Sequence, residues 1–271
     1  MKLGLLGGGT IGRLVLEHLW RGEIPGIEVV AVAGRSAASR GAALAREFSV
    51  PYVVGEAALR AARPDVVMEA ASHEAVRAHL VSLLEGGISV VVLSAGALAD
   101  DALRSAAEAA SERSGALLYV PSGGIGALDA VKGACAAGVD EVTIQVAKPP
   151  AAWQGIPQVE SLRLDLAGLT RATTLFEGPA RQGVPLFPQN VNIAAVLSLA
   201  GIGFDKTRMR VVADPALKDN THTIQVKGAS GRFTLTLENI PSPENPKTSF
   251  LACYSVLAAL RELRSRHRYG T

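Results

Sequence analysis

A glycine-rich run, GGGTIG from Gly7 to Gly12, follows the short apolar stretch Lys2 to Leu6 and precedes a helix-like segment. Strand, glycine turn and helix in that order are what a dinucleotide pyrophosphate requires. Gly7 permits the tight turn, Gly9 lets the backbone approach the pyrophosphate, and Gly12 lets the helix pack close to the strand. Thr10 and Ile11 complete the motif at the start of that helix, where backbone N–H groups and the dipole hold an anion. Glycine-rich turns are common, so the weight rests on this context.

Other residues offer complementary chemistry. The second apolar run ends in Gly34-Arg35-Ser36, with Arg40 nearby. A carboxylate at this place would bond the adenosine ribose of NAD, whereas a cation suits the 2'-phosphate of NADP. Arg35 and Ser36 therefore point to a site that takes NAD or NADP, against the ordinary alternative of an exposed arginine. Of five histidines, His222 stands apart: it begins the alternating segment THTIQV on the parity of Ile224 and Val226. Position alone fits equally a general acid and base or a hydrogen-bonded core imidazole. Asn190 and Asn192 in FPQNVNIAAVLSLAG suit helix capping, and their amides also suit a cofactor or substrate. The loop Ser122-Gly123-Gly124-Ile125-Gly126 can approach a cofactor closely or simply turn between domains. Lys148 in AKPP and Lys247 in ENPKTS are candidate partners of a substrate carboxylate, each competing with the reading of a surface lysine.

These residues need elements to hold them. Apolar runs at Ile27–Ala33, Tyr52–Val54, Asp65–Glu69, Ser89–Ser94 and Leu117–Val120 are mostly separated by helical segments, which predicts a doubly wound parallel sheet of Rossmann type. Beyond Ser122 the pattern alternates: Glu141–Val146, Ser161–Leu166, and His222–Val226 joined to Phe233–Leu237 through Gly228-Ala229-Ser230-Gly231. That predicts a second α+β domain on a mixed or antiparallel sheet with one buried and one polar face. A final helix from about Thr248 or Ser249, carrying Leu251, Val256, Leu257 and Leu260 inward, returns to the first domain. The expected division is 1–121 plus 241–271 for the dinucleotide and 122–240 for catalysis and dimerisation.

Composition narrows the partners. The 271 residues are 48% hydrophobic with a formal net charge of +2, which argues against disorder and against a broad electrostatic grip on nucleic acid. Cys135 and Cys253 are too few for a disulfide scaffold or a four-thiolate zinc site, and HExxH, CxxC, P-loop and GxSxG arrangements are missing from the sequence. The first apolar segment is only strand-length and has no basic leader, so a cytoplasmic chain without a membrane span is expected. The partner is a small molecule.

Taken together, LGGGTIG, MEAASHEAV, VPSGGIGALDA, FPQNVNIAAVLSLAGIG, VADP with NTH, and GRFTLTLENIPSPENPKTS resemble the L-aspartate dehydrogenase family over nearly the whole chain. The resemblance implies NAD(P)-dependent deamination of L-aspartate through iminoaspartate to oxaloacetate and ammonia, or the reverse, with iminoaspartate feeding NAD biosynthesis in many organisms. It also implies that His222 is catalytic, that Asn190 contacts the cofactor, and that the SGGIG loop supplies another contact at Gly124. Lys148, Asn192 and Lys247 remain candidate substrate contacts. The chain departs from the family pattern in two places, with Gly124 where alanine is common and Ala147 where an arginine commonly precedes the lysine of KPP. Two other readings share the layout: a reductase of another small dicarboxylate or cyclic imine, as in dihydrodipicolinate reductase, and a non-catalytic NAD(P) sensor. An intact His222 argues against the sensor.

Overall fold

The structure, a computed structural model, describes residues 1–188, 191–242, 245–267 and 269, with backbone alone at 241, 242 and 245–248. The chain divides into two compact units, Met1–Pro121 with Cys253–His267, and Ser122–Ala252 with the terminal residues. The return to the first unit thus begins at Cys253, later than position 241.

In the first unit six strands alternate with helices: β1 (Lys2–Leu6), α1 (Thr10–Trp20), β2 (Glu28–Gly34), α2 (Arg40–Glu47), β3 (Tyr52–Val54), α3 (Gly55–Ala61), β4 (Val66–Glu69), α4 (His73–Glu85), β5 (Ser89–Val92), α5 (Asp101–Ser114) and β6 (Leu118–Tyr119). The strands pair in parallel in the order β3-β2-β1-β4-β5-β6. Leu3, Leu5, Val32, Val67, Met68 and Val91 are completely buried, as continuous apolar strands covered on both faces must be. The order reverses beside β1, and in such sheets ligands bind at the carboxyl ends next to the reversal.

The second unit contains α6 (Leu128–Ala137), β7 (Val139–Lys148), α7 (Pro157–Ser161), β8 (Thr173–Pro179), α8 (Ala180–Leu186), α9 (Asn192–Ala200), β9 (Arg208–Ala213), β10 (Asn220–Gly228), β11 (Gly231–Asn239), β12 (Pro241–Ser242) and β13 (Asn245–Ser249). Five strands form a mixed sheet, β11-β10-β7-β9-β8, with β7 and β9 parallel and the other pairs antiparallel. The expected hairpin is present: Gly228 pairs with Gly231 around a two-residue turn, and Gly231 has φ +121°, a conformation open to glycine. Val142, Ile144 and Val146 on β7 face inward beside Val226, Ile224 and His222 on β10. Thr143, Gln145, Thr223, Gln225, Arg208 and Arg210 line a groove on the other, polar face.

Two expectations are corrected. Ser161–Leu166 is no strand: Pro157 starts the short helix α7, which Ser161 ends, and Arg163 then takes φ +53°. Asp165 Oδ1 accepts from the N–H groups of Ala167 and Gly168, so this side chain closes a local turn instead of leaving the backbone to a ladder. In α10 (Phe250–Arg264) Val256, Leu257 and Leu260 are buried, but Leu251 is 40% exposed and Cys253 takes the inward place.

Candidate active site

Each residue of the glycine turn does a separable job. Gly7 has φ +107°, and a Cβ there would lie 2.7 Å from the Ala70 carbonyl oxygen. A Cβ on Gly8 would fall 2.2 Å from Cα of Gly41 at the start of α2. Gly12 is buried with the Gly7 carbonyl 3.2 Å from its would-be Cβ, whereas a Cβ on Gly9 would enter open space. Gly9 is the N-cap of α1, no side chain caps the helix, and its first turn carries no acid. Thr10, Ile11 and Gly12 therefore form the N-terminal turn of α1, a place suited to a phosphate. These residues fit a dinucleotide pyrophosphate.

Arg35 and Ser36 follow Gly34 at the carboxyl end of β2 and are exposed. The tip is organised: the Tyr52 hydroxyl donates to the Ser36 carbonyl at 2.6 Å, and the Ser36 N–H donates to Ser39 Oγ at 3.2 Å.

Glu69 ends β4 next to the glycine turn and is 2% exposed. Its Oε1 accepts from the N–H groups of Ala71 and Ser72 and the Ser94 hydroxyl, at 2.8, 3.0 and 2.9 Å, and its Oε2 accepts the Ser94 N–H at 3.0 Å. Burial pushes this carboxyl up, against four donors that favour the carboxylate. One side chain thus ties the loops after β4 and β5 together. Its signal in the sequence was a carboxylate closing the otherwise apolar strand VVME.

The second cluster lies on the inner face of the mixed sheet. His222 is 2% exposed, opposite Val146 on β7 and Leu237 on β11. Its Nδ1 lies 3.1 Å from the Gly124 carbonyl oxygen and 3.0 Å from Asn239 Nδ2, which itself donates to Gly124 at 2.8 Å. The carbonyl only accepts, so it fixes the Asn239 amide and takes the Nδ1 proton in one imidazole tautomer, while in the other Nδ1 accepts from Asn239 Nδ2. His222 Nε2 is buried and has no hydrogen-bond partner among the described residues. Burial first, and the Lys148 charge second, lower this imidazole to about 4, partly opposed by the Gly124 bond. Lys148 ends β7 on the buried parity, 2% exposed, its Nζ 5.4 Å from the centroid of the Trp153 ring. It is not a surface lysine.

The second unit therefore gathers His222, Gly124 and Lys148. Asn192 is the half-buried first residue of α9, with Val191 at the N-cap and no side-chain cap bond. Asn190 lies outside the described residues, and so does the side chain of Lys247, whose backbone is in β13. Sequence reasoning missed Asn239. Its signal was parity, because it continues the inward set Phe233, Leu235 and Leu237 with a polar group.

A parallel doubly wound sheet opening on a glycine anion turn, followed by an α+β unit holding a buried neutral histidine, is the architecture of a nicotinamide-dependent oxidoreductase. Residues 129–263 match the family described as aspartate dehydrogenase, C-terminal, and residues 7–121 match that described as homoserine dehydrogenase, NAD binding domain. The L-aspartate dehydrogenase of Methanosarcina acetivorans is 40% identical over the full length of both chains, and that of Ralstonia nicotianae 39% identical over 96% of each. The crystal structure of aspartate dehydrogenase from Thermotoga maritima is 30% identical with a TM-score of 0.76, covering 100% of this chain and 99% of that one. The chain belongs to the L-aspartate dehydrogenase family.

Proposed function

We propose that this protein oxidises L-aspartate with NAD(P) to iminoaspartate, which water hydrolyses to oxaloacetate and ammonia, and that it runs the reverse reductive amination. The observation that carries this reading is the buried imidazole of His222, held at Nδ1 and unpartnered at Nε2.

Gly7, Gly9, Thr10, Ile11 and Gly12 would hold the cofactor pyrophosphate, and Asn190 and the Gly124 N–H would contribute further contacts. The Gly124 carbonyl is already engaged by His222 and Asn239. The tip of β2 offers Arg35 and Ser36 and no carboxylate, which supports acceptance of NADP beside NAD. When bound, the nicotinamide accepts the hydride released from the substrate Cα.

The substrate ammonium must lose a proton before its Cα can release hydride. With pKa about 4, His222 is neutral at pH 7, and in the reacting tautomer, whose Nδ1–H donates to Gly124, the Nε2 lone pair is the base. The same nitrogen takes a proton from the water that adds to the imine carbon. Lys148 serves twice: its charge attracts a substrate carboxylate, and it disfavours a lasting imidazolium, so the proton is passed on. Asn192 and Lys247 are the other candidate substrate contacts. Among the described residues no helix is long and apolar enough to cross a membrane, and a cytoplasmic enzyme that pairs through the polar face of its second sheet is the setting we assign.

Mixing the protein with oxaloacetate and ammonium should oxidise NADH and NADPH at an ammonia-dependent rate, with pyruvate a poor substitute. Arg35→Ala should weaken NADPH more than NADH. Oxidation that needs no ammonia would overturn the aspartate reading in favour of another reductase, and tight cofactor binding without turnover would favour a sensor.

A further inference from the structure

Asn220 is the first residue of β10, two positions before His222 and on the same inward parity as His222, Ile224 and Val226. It is 1% exposed, yet among the described residues neither its Nδ2 nor its Oδ1 has a hydrogen-bond partner. Leaving a buried amide unpaired is destabilising, and a structural position would satisfy it or carry an apolar residue. The potential partner across the hairpin, Asn239, spends its amide on the Gly124 carbonyl instead. On the other side, β7 pairs Val146 with His222 and Ala147 with Thr221, and Lys148 is the next residue of β7 as Asn220 is the next of β10. The inner face of β10 thus changes character at one step, from Ile224 and Val226 to a buried end holding His222 and Asn220, while the adjacent β7 ends in the buried Lys148.

We infer that Asn220 is a substrate-binding residue that grips the amino end of the amino dicarboxylate, an inference that rests on the aspartate reading above. An amide presents a donor and an acceptor side by side. Nδ2 donates to a carboxylate oxygen of the substrate, and Oδ1 accepts an N–H of its amino group. That orients the nitrogen whose proton His222 removes, while Lys148 supplies the charge an amide lacks. A ligand lacking the amino group leaves Oδ1 unpaired and is penalised accordingly.

The test compares Asn220→Leu and Asn220→Ala with the parent protein, measuring steady-state KM for aspartate, NADH affinity by fluorescence titration, and melting temperature with and without aspartate. The expected result is a KM for aspartate at least about tenfold higher with NADH affinity within about twofold. The melting temperature without ligand should be unchanged or raised, and the rise that aspartate induces should be lost. A KM within about twofold of the parent in either folded variant overturns the inference. So does a melting temperature lowered equally with and without aspartate, or failure of both variants to fold, because each marks a structural amide. Absence of ammonia-dependent cofactor oxidation in the parent protein is the separate failure of the aspartate reading.

Discussion

Two buried polar clusters stand at strand ends in the two units, and they differ in how completely they are satisfied. Glu69 receives four protein donors and joins two loops of the parallel sheet. His222 and Asn220, equally buried, keep Nε2 and a whole amide without partners among the described residues. A filled network holds backbone in place, whereas an unfilled one keeps its hydrogen-bonding capacity for a molecule that arrives later. The distinction is one of chemistry as well as number, since the acceptor-only carbonyl of Gly124 anchors one side of the imidazole and leaves the other bare.

The difference can be broken by experiment. The largest effect is expected for His222→Ala, a loss of turnover of roughly 10²–10⁴-fold. Melting temperature and NADH affinity should change little, because Asn239 still satisfies the Gly124 carbonyl. A variant that turns over normally removes the imidazole from the chemistry. Glu69→Ala should act oppositely, since it orphans four donors, at a cost of about 3 kcal/mol or more. Calorimetry should show a melting temperature lower by roughly 10 °C, and an unshifted transition would mean that the carboxylate does not hold these loops.

The smallest effect concerns pH. His222 has a folded pKa near 4, below the ordinary 6.5. Between these values the unfolded chain takes up a proton that the folded state refuses, so stability falls on acidification through this window and is fully present above it. The slope from this group is at most about 1.4 kcal/mol per pH unit. Urea midpoints from pH 7 down to 4.5 should fall less steeply for His222→Asn than for the parent. Parallel profiles would contradict a buried neutral imidazole.

Much of this was legible where chemistry follows local pattern. Continuous apolar runs separated by helices announced the parallel sheet, and strict alternation around Gly228 and Gly231 announced the hairpin and put His222 on its inner side. Alternation misled at Ser161–Leu166, where Pro157 started a short helix and Asp165 satisfied the backbone locally. What stayed hidden was pairing at long range. Gly124 and His222 are 98 positions apart, and nothing local tells which carbonyl will meet an imidazole. Asn220 and Asn239 were readable as polar residues at apolar parity, but each looked like the ordinary end of a strand.

The near-touching backbones of Gly8 and Gly41 bear on any attempt to retune cofactor preference. The glycine turn proposed to receive the pyrophosphate and the helix that follows Arg35 and Ser36 meet without side chains between them, so neither can be exchanged as an independent cassette. Substitutions at Arg35 and Ser36 leave that junction intact. A transplanted segment extending to position 41 must bring its own glycine there, or it will push the glycine turn out of shape while altering the residues proposed to choose between NAD and NADP.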